Sequence, residues 1–280
     1  MEKAIKRYFP IFVLPTMIAF TLGFIIPFVE GVYLSFCKFT TVNDAKFIGF
    51  ANYAKAFADE TFVHAFWYTA AFTVVSVILI NVLAFAVALL LTKGFKGTNI
   101  FRTVFFMPNL IGGIVLGYIW QLLLNGILMK FSRTLTYSST YGFWGLIILM
   151  CWQQIGYMMI IYIAGIQNIP GELIEAAEID GATKWQILKK VTIPMVMPSI
   201  TVCTFLTLTN SFKLFDQNLA LTNGEPSKMS EMLALNIFYT FYGRTGYEGV
   251  GQAKAVIFFI LVTVIALTQN YLTRRKEVQQ

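Results

Sequence analysis

The chain has 280 residues, of which 57% are hydrophobic and only 12% charged, and its mean hydropathy is +0.68. A soluble domain carries about twice that charged fraction, so composition disfavours a soluble globular enzyme. The net charge of +7 does not point to nucleic acid in so apolar a chain; Lys and Arg anchoring cytoplasmic loops account for it.

Charges punctuate the sequence, and the gaps between them predict the elements. Charge-free runs occupy residues 8–29, 65–92, 103–129, 134–171, 191–212 and 255–273. Each reaches the length of about 20 apolar residues needed to cross a bilayer core. Lipid offers no water to orphaned backbone groups, so the predicted fold class is an all-α membrane protein of about six transmembrane helices. The opening segment, Met1 to Arg7, resembles the basic start of a signal peptide. The apolar stretch behind it is too long and lacks a small-residue cleavage site, so it reads as a retained first membrane helix. The sole histidine, His64, is placed at an external helix end, and Trp67, Tyr68, Tyr141 and Trp144 fall where a headgroup belt belongs. Pro108, Pro194 and Pro198 predict bent or interrupted spans, whose freed backbone groups neighbouring helices can satisfy. Cys151 and Cys203 read as small buried hydrophobes, with Cys37 completing an odd count without metal spacing. The run 232–243 is too short to cross and is expected to lie at the external surface.

With the N-terminus in the cytoplasm, 12 of the 21 basic residues fall on inside segments, and these are the shorter ones. Basic density therefore places both termini inside, in a multi-pass protein of the inner, or cytoplasmic, membrane. Residues 1–280 read as a single transmembrane domain with one prominent cytoplasmic loop, 167–194.

That loop reads as two short helices around a glycine. Pro170 suits a helix start, and Glu172, Glu175 and Glu178 suit its positive end. Leu173, Ala176 and Ala177 share one face, and Gly181 supplies a left-handed break. A second helix is predicted over 183–190, leading to Pro194. The arrangement is a rigid knob with small residues for close approach and acids for charge pairing; a plain solvated connector is the competing reading.

Polar residues inside spans usually face the bundle interior or a cavity. In the fourth span Gln153, Gln154 and Tyr157 cluster beside Trp152, and in the fifth Asn210, Ser211 and Lys213 gather with Asp216 and Gln217. Such clusters of amides, hydroxyls and aromatics can line a path through the bundle. Hydrogen bonding between helices is the competing reading. Asn81, Gln121 and Asn125 are weaker positions of the same kind.

The string Glu175-Ala176-Ala177, three residues, Gly181, nine residues and Val191-Thr192-Ile193-Pro194 resembles the EAA signature of binding-protein-dependent ABC importer permeases. Val191 and Ile193 stand where that signature has isoleucine and leucine. Phe47 to Tyr53, Phe101 to Pro108, Glu175 to Ala182, and Phe215-Asp216 followed by Leu221 to Pro226 resemble the oligosaccharide branch of that family. The resemblance runs from about residue 9 to 275 and lacks the extra N-terminal helices and large external insertion of the first maltose permease subunit.

The resemblance implies a type I ABC importer permease fold. It implies that Glu175, Ala176, Ala177, Glu178, Asp180 and Gly181 couple to an ATPase, and that Gln153, Gln154, Tyr157, Asn210, Ser211 and Lys213 line the substrate path. The partners it implies are a second homologous permease, two ATP-binding subunits, an extracytoplasmic sugar-binding protein and the lipid bilayer. The sequence holds no GxxxxGK[ST], HExxH or GxSxG motif. No cofactor, metal or nucleic acid is therefore expected on this chain, ATP being bound by the partner subunit. Other expectations are a polyol or glycerol phosphate as cargo, an ATP-independent carrier or channel, and a membrane-embedded enzyme.

Overall fold

The computed structural model describes residues 2–94 and 96–274. Arg275 and Lys276, which the orientation reading counted, lie outside the described residues, as do the side chains of Lys3, Lys6, Arg7 and Arg274.

The chain forms helices α1 (Glu2–Phe20), α2 (Ile26–Leu34), α3 (Ala51–Ala58), α4 (Glu60–Leu91), α5 (Thr98–Phe106), α6 (Gly113–Leu128), α7 (Ser139–Gln167), α8 (Gly171–Ile179) and α9 (Lys184–Ile187). It continues with α10 (Ile193–Met195), α11 (Met197–Phe212), α12 (Asp216–Leu221), α13 (Leu233–Gly243) and α14 (Glu248–Arg274). A π-turn at Thr21–Ile25 carries α1 into α2. Two-residue strands β1 (Cys37–Lys38) and β2 (Lys46–Phe47) pair antiparallel, Cys37 opposite Phe47.

Five helices among the described residues are long and apolar enough to cross a membrane, and a bent pair brings the number to six. The all-α membrane fold anticipated from the charge gaps is therefore the one adopted. Two runs are not straight helices. Residues 103–129 divide into α5, a 3₁₀ turn at Met107–Leu110 and α6. Pro108 lacks an amide for the helix ladder, and Gly112 takes extended angles (φ −60°, ψ 140°). Residues 191–212 bend by 69° between the segments Lys184–Met195 and Met197–Phe212. Pro194 and Pro198 stand four apart about Val196, and each removes a ladder donor and crowds the preceding turn. The second loop helix starts one residue later than expected, with Thr183 as its cap, and continues past Lys190 through a π-turn at Leu188–Thr192 to Met195.

Two compact units divide the chain. One comprises residues 1–62 and 237–259, the other 63–236 and 260–280. In the second unit the core gathers around α7, whose Leu146, Leu149, Met150, Met158, Met159 and Tyr162 pack with Phe72 and Ile80 of α4, Cys203 of α11 and Leu221 of α12. Small residues set the close contacts. A Cβ on Gly117 would fall 2.5 Å from the Cβ of Ala220, and one on Gly113 would fall 2.7 Å from that of Asp216. The Gly113-x-x-x-Gly117 face of α6 thus seats α12, as small-residue pairs do between membrane helices. A Cβ on Gly156 would overlap the carbonyl oxygen of Phe105.

In the first unit, Lys254 of α14 is fully buried. Its Nζ donates to Asp59 Oδ2 and to Thr240 Oγ1, each at 2.8 Å, and lies 5.0 Å from the ring centre of Phe62.

Candidate functional site

Polar side chains of the second unit converge where α7, α11 and α12 meet. A cavity of about 380 Å³ there is lined by Met150, Gln154, Asn210, Lys213, Asp216 and Gln217, with Leu214 and Phe215. Its size falls within the roughly 300–1,000 Å³ usual for small-molecule sites. The local fold explains the cluster. Helix α11 stops at Phe212, α12 starts at Asp216, and the intervening Lys213 to Phe215 face the opening. Irregular backbone at membrane depth is tolerated where it lines a cavity or is buried in protein.

Amides link the walls. Asn210 Nδ2 donates to Gln154 Oε1 at 3.4 Å, and Gln217 Nε2 donates to Gln153 Oε1 at 2.8 Å. Gln153 in turn donates to the Ile111 carbonyl at 3.4 Å, in the break ahead of α6. Both glutamines are buried, 5% and 8% exposed. They are held by partners rather than left unsatisfied, which at such burial would cost about 1–3 kcal/mol each.

Of the residues anticipated for a substrate path, Gln154, Asn210 and Lys213 line this cavity. Gln153 stands behind it, through Gln217. Tyr157 is elsewhere on α7, its ring 6.4 Å from that of Phe106. Ser211 is fully buried, and its hydroxyl lacks a partner. Met150 lines the cavity without having been singled out from the sequence, and Phe215 had been noted only within a family-like string and not as lining. Met150 lies one helical turn before Gln154, a signal that polarity alone does not carry.

The weaker polar positions are held in hydrogen bonds between elements. Tyr162 donates to Asn81 Oδ1 at 2.7 Å, and Asn81 Nδ2 donates to Thr207 Oγ1 at 2.9 Å, tying α4, α7 and α11 together. Gln121 donates to the Leu221 carbonyl at 3.0 Å, and Asn125 Oδ1 accepts from the Leu135 amide at 2.8 Å.

A second surface is the knob between α7 and α11. Helix α8 ends in a tight cap: the Ala182 amide donates to the Ala177 carbonyl and the Gly181 amide to the Glu178 carbonyl, both at 3.0 Å. Gly181 takes φ +76°, in the left-handed region that this cap requires. Thr183 and Gln186 then form a reciprocal cap on α9, the Thr183 amide donating to Gln186 Oε1 at 2.7 Å. Ile174 packs against the core, while Glu175, Ala176, Glu178, Asp180 and Gly181 are exposed and Ala177 is half-buried. Ile179 is 86% exposed and Trp185 69%.

Long apolar helices with a polar cavity between them are the build of a membrane transport subunit. The chain belongs to the family of binding-protein-dependent transport system inner membrane components, whose profile matches residues 81–278. It is 42% identical to the probable starch degradation products transport system permease protein AmyD of Thermoanaerobacterium thermosulfurigenes, over 96% of this chain and 94% of that protein. It is 27% identical to the trehalose/maltose transport system permease protein MalF of Thermococcus litoralis, over 89% and 88%. A chain of a bacterial ABC transporter involved in the import of the acidic polysaccharide alginate superposes with a TM-score of 0.83 over 98% of both chains, at 23% identity. That likeness bears on the fold, which is that of ABC importer permeases. The protein is accordingly membrane-embedded.

Proposed function

We propose that the chain is the permease subunit of an ATP-driven importer of neutral oligosaccharides, with the α7–α11–α12 cavity on the sugar path. The observation that carries this reading is the lining itself. Gln154, Asn210 and Gln217 offer amides that match hydroxyls, and Met150 and Phe215 offer apolar surface for a sugar ring. Relatives named for starch degradation products and for trehalose and maltose support the cargo class. A phosphorylated polyol fits less well. Lys213 would attract its phosphate, but Asp216 lines the same cavity and opposes it.

Residues 1–280 are read as one permease domain, with both termini in the cytoplasm of a cell whose inner membrane holds it. The knob formed by Glu175, Ala176, Ala177, Glu178, Asp180 and Gly181 couples to a separate ATP-binding subunit. The exposed Ile179 and Trp185 support this, because apolar side chains displayed beside acids suit an interface. ATP is bound by two such partner subunits rather than by this chain. A second homologous permease completes the path, and an extracytoplasmic binding protein delivers the sugar. ATP binding biases a bistable bundle between its inward- and outward-open forms.

Two experiments test the reading. Glu175→Arg and Gly181→Arg are expected to abolish uptake while membrane insertion persists, and normal uptake by both variants contradicts the coupling role. Asn210→Ala and Gln154→Ala are expected to raise the KM for labelled oligosaccharide about tenfold, the loss of roughly one good hydrogen bond. Unchanged oligosaccharide uptake alongside efficient glycerol phosphate uptake would move the cargo to phosphorylated solutes.

A further inference from the structure

A second polar cavity, of about 450 Å³, opens where α4 ends and α5 begins; Thr92, Thr98, Asn99, Arg102 and Gln167 are among its lining residues. Among the described residues, Arg102 is the only charged one of the lining, and no carboxylate lines it. The Arg102 Nε is shut off from solvent without a hydrogen-bond partner, and no acid pairs with the guanidinium among the described residues. A buried donor on a cation that lacks an acceptor costs free energy, and such a group in a folded chain points to something that completes it, an ion among the candidates. The guanidinium presents a planar fork of donors that matches a phosphate or carboxylate oxygen pair. Asn99 and Gln167 add amides to the same wall. Two exposed lysines, Lys93 and Lys96, flank the opening in sequence, raising the local anion concentration.

The location selects among anions. Leu91, the last residue of the membrane-spanning helix Glu60–Leu91, lines the cavity, which therefore lies at the membrane boundary. Basic pockets between membrane helices at that depth are suited to phosphate-bearing headgroups. We propose that the Arg102 cavity binds a phosphate anion, supplied by the headgroup of an anionic phospholipid or by a soluble phosphate ester. Its placement on the cytoplasmic leaflet rests on the orientation proposed above; the binding itself does not.

The test measures binding rather than uptake. The purified chain, or the complex in which it is extracted, is stripped of lipid in detergent and examined in two arms. In the first, inorganic phosphate is titrated and read by phosphorus NMR line broadening. In the second, the protein is placed in nanodiscs of mixed phosphatidylglycerol and phosphatidylcholine, and retained lipid is counted by native mass spectrometry after release. Arg102→Gln is expected to weaken binding at least tenfold in one arm or both, while Lys93→Gln with Lys96→Gln weakens it less. Loss confined to the second arm assigns the site to a lipid headgroup, and loss in the first assigns it to a soluble ester. Equal binding by the parent and Arg102→Gln in both arms overturns the proposal. If Arg102→Gln fails to fold, Arg102→Lys keeps the charge without the fork, and parental affinity in that variant overturns it equally. Lys96→Cys, labelled with a membrane-impermeant reagent, reads orientation separately. Labelling from outside the cell would overturn the cytoplasmic placement and leave the phosphate measurement standing.

Discussion

Asp59 and Lys254 are 195 residues apart in the chain, yet their charges meet at 2.8 Å with the lysine fully buried. Arg244 lies 3.7 Å from the same carboxylate oxygen. Burial alone would raise the carboxyl pKa of Asp59, but hydrogen bonds from Lys254 and Thr61 and the Lys254 charge outweigh it and hold it at about 2. A free aspartate titrates near pKa ~4, so between those values the unfolded chain binds more protons than the folded one. Stability from this pair is therefore complete above pH ~4 and is lost as pH falls from ~4 to ~2. Thermal melts in detergent are expected to show an acid-side loss that a chain carrying both Asp59→Asn and Lys254→Met lacks. Asp59→Asn alone removes a carboxylate partner of a buried cation, which costs on the order of 3 kcal/mol, and Lys254→Met in that background should recover most of it. Equal acid sensitivity of the parent and the double variant would contradict the assignment. The pairing was not legible in the sequence: each residue stands next to an apolar run, and only the folded unit brings them together. Gly181 was legible, because its left-handed angle follows from the cap of a short helix between acids and a threonine.

Helices show the same division at the next scale. The charge gaps located every span, since a single charge at the bilayer centre costs about 2.5–3.5 kcal/mol and so marks where a span cannot be. They did not locate the break at Ile111 and Gly112 or the length of α12, because hydropathy carries no information on backbone direction. Prolines gave the bend at Val196 its position but not its 69°. The contact of α6 with α12 was hidden for a different reason. Gly113 and Gly117 form a small-x-x-x-small face, but their partner is a six-residue helix lying between two longer apolar segments. Gly117→Leu is expected to push α12 off α6, lower the melting midpoint and impair uptake; overpacking of this kind costs about 1–3 kcal/mol. Gly126→Leu, on the same helix and with nothing within 4 Å of its Cβ position, serves as the neutral control. A Gly117→Leu chain as stable and active as Gly126→Leu would show that the close approach is dispensable. The cavity followed the same pattern: Gln154, Asn210 and Lys213 could be named from polarity inside spans, whereas Met150 carries no polar signal and the lining place of Phe215 became visible only once α11 stopped and α12 began.

For the whole molecule, family membership and a membrane-embedded helical fold agree with what composition, charge spacing and the loop signature imply. Import as proposed above requires a second permease beside this chain and an ATP-binding engine that drives the pair. Exposed apolar residues on α6, among them Leu122, Leu123 and Tyr118, and the Ile179–Trp185 knob are surfaces available to lipid and partners. The most direct measurement is co-purification: the chain, tagged at its C-terminus, is extracted from native membranes in mild detergent, and its partners are identified and counted by mass spectrometry. One homologous permease and two copies of a nucleotide-binding subunit are expected to come out with it, with Glu175→Arg and Gly181→Arg losing the latter. A chain that comes out alone and still carries sugar into liposomes without ATP would contradict this expectation.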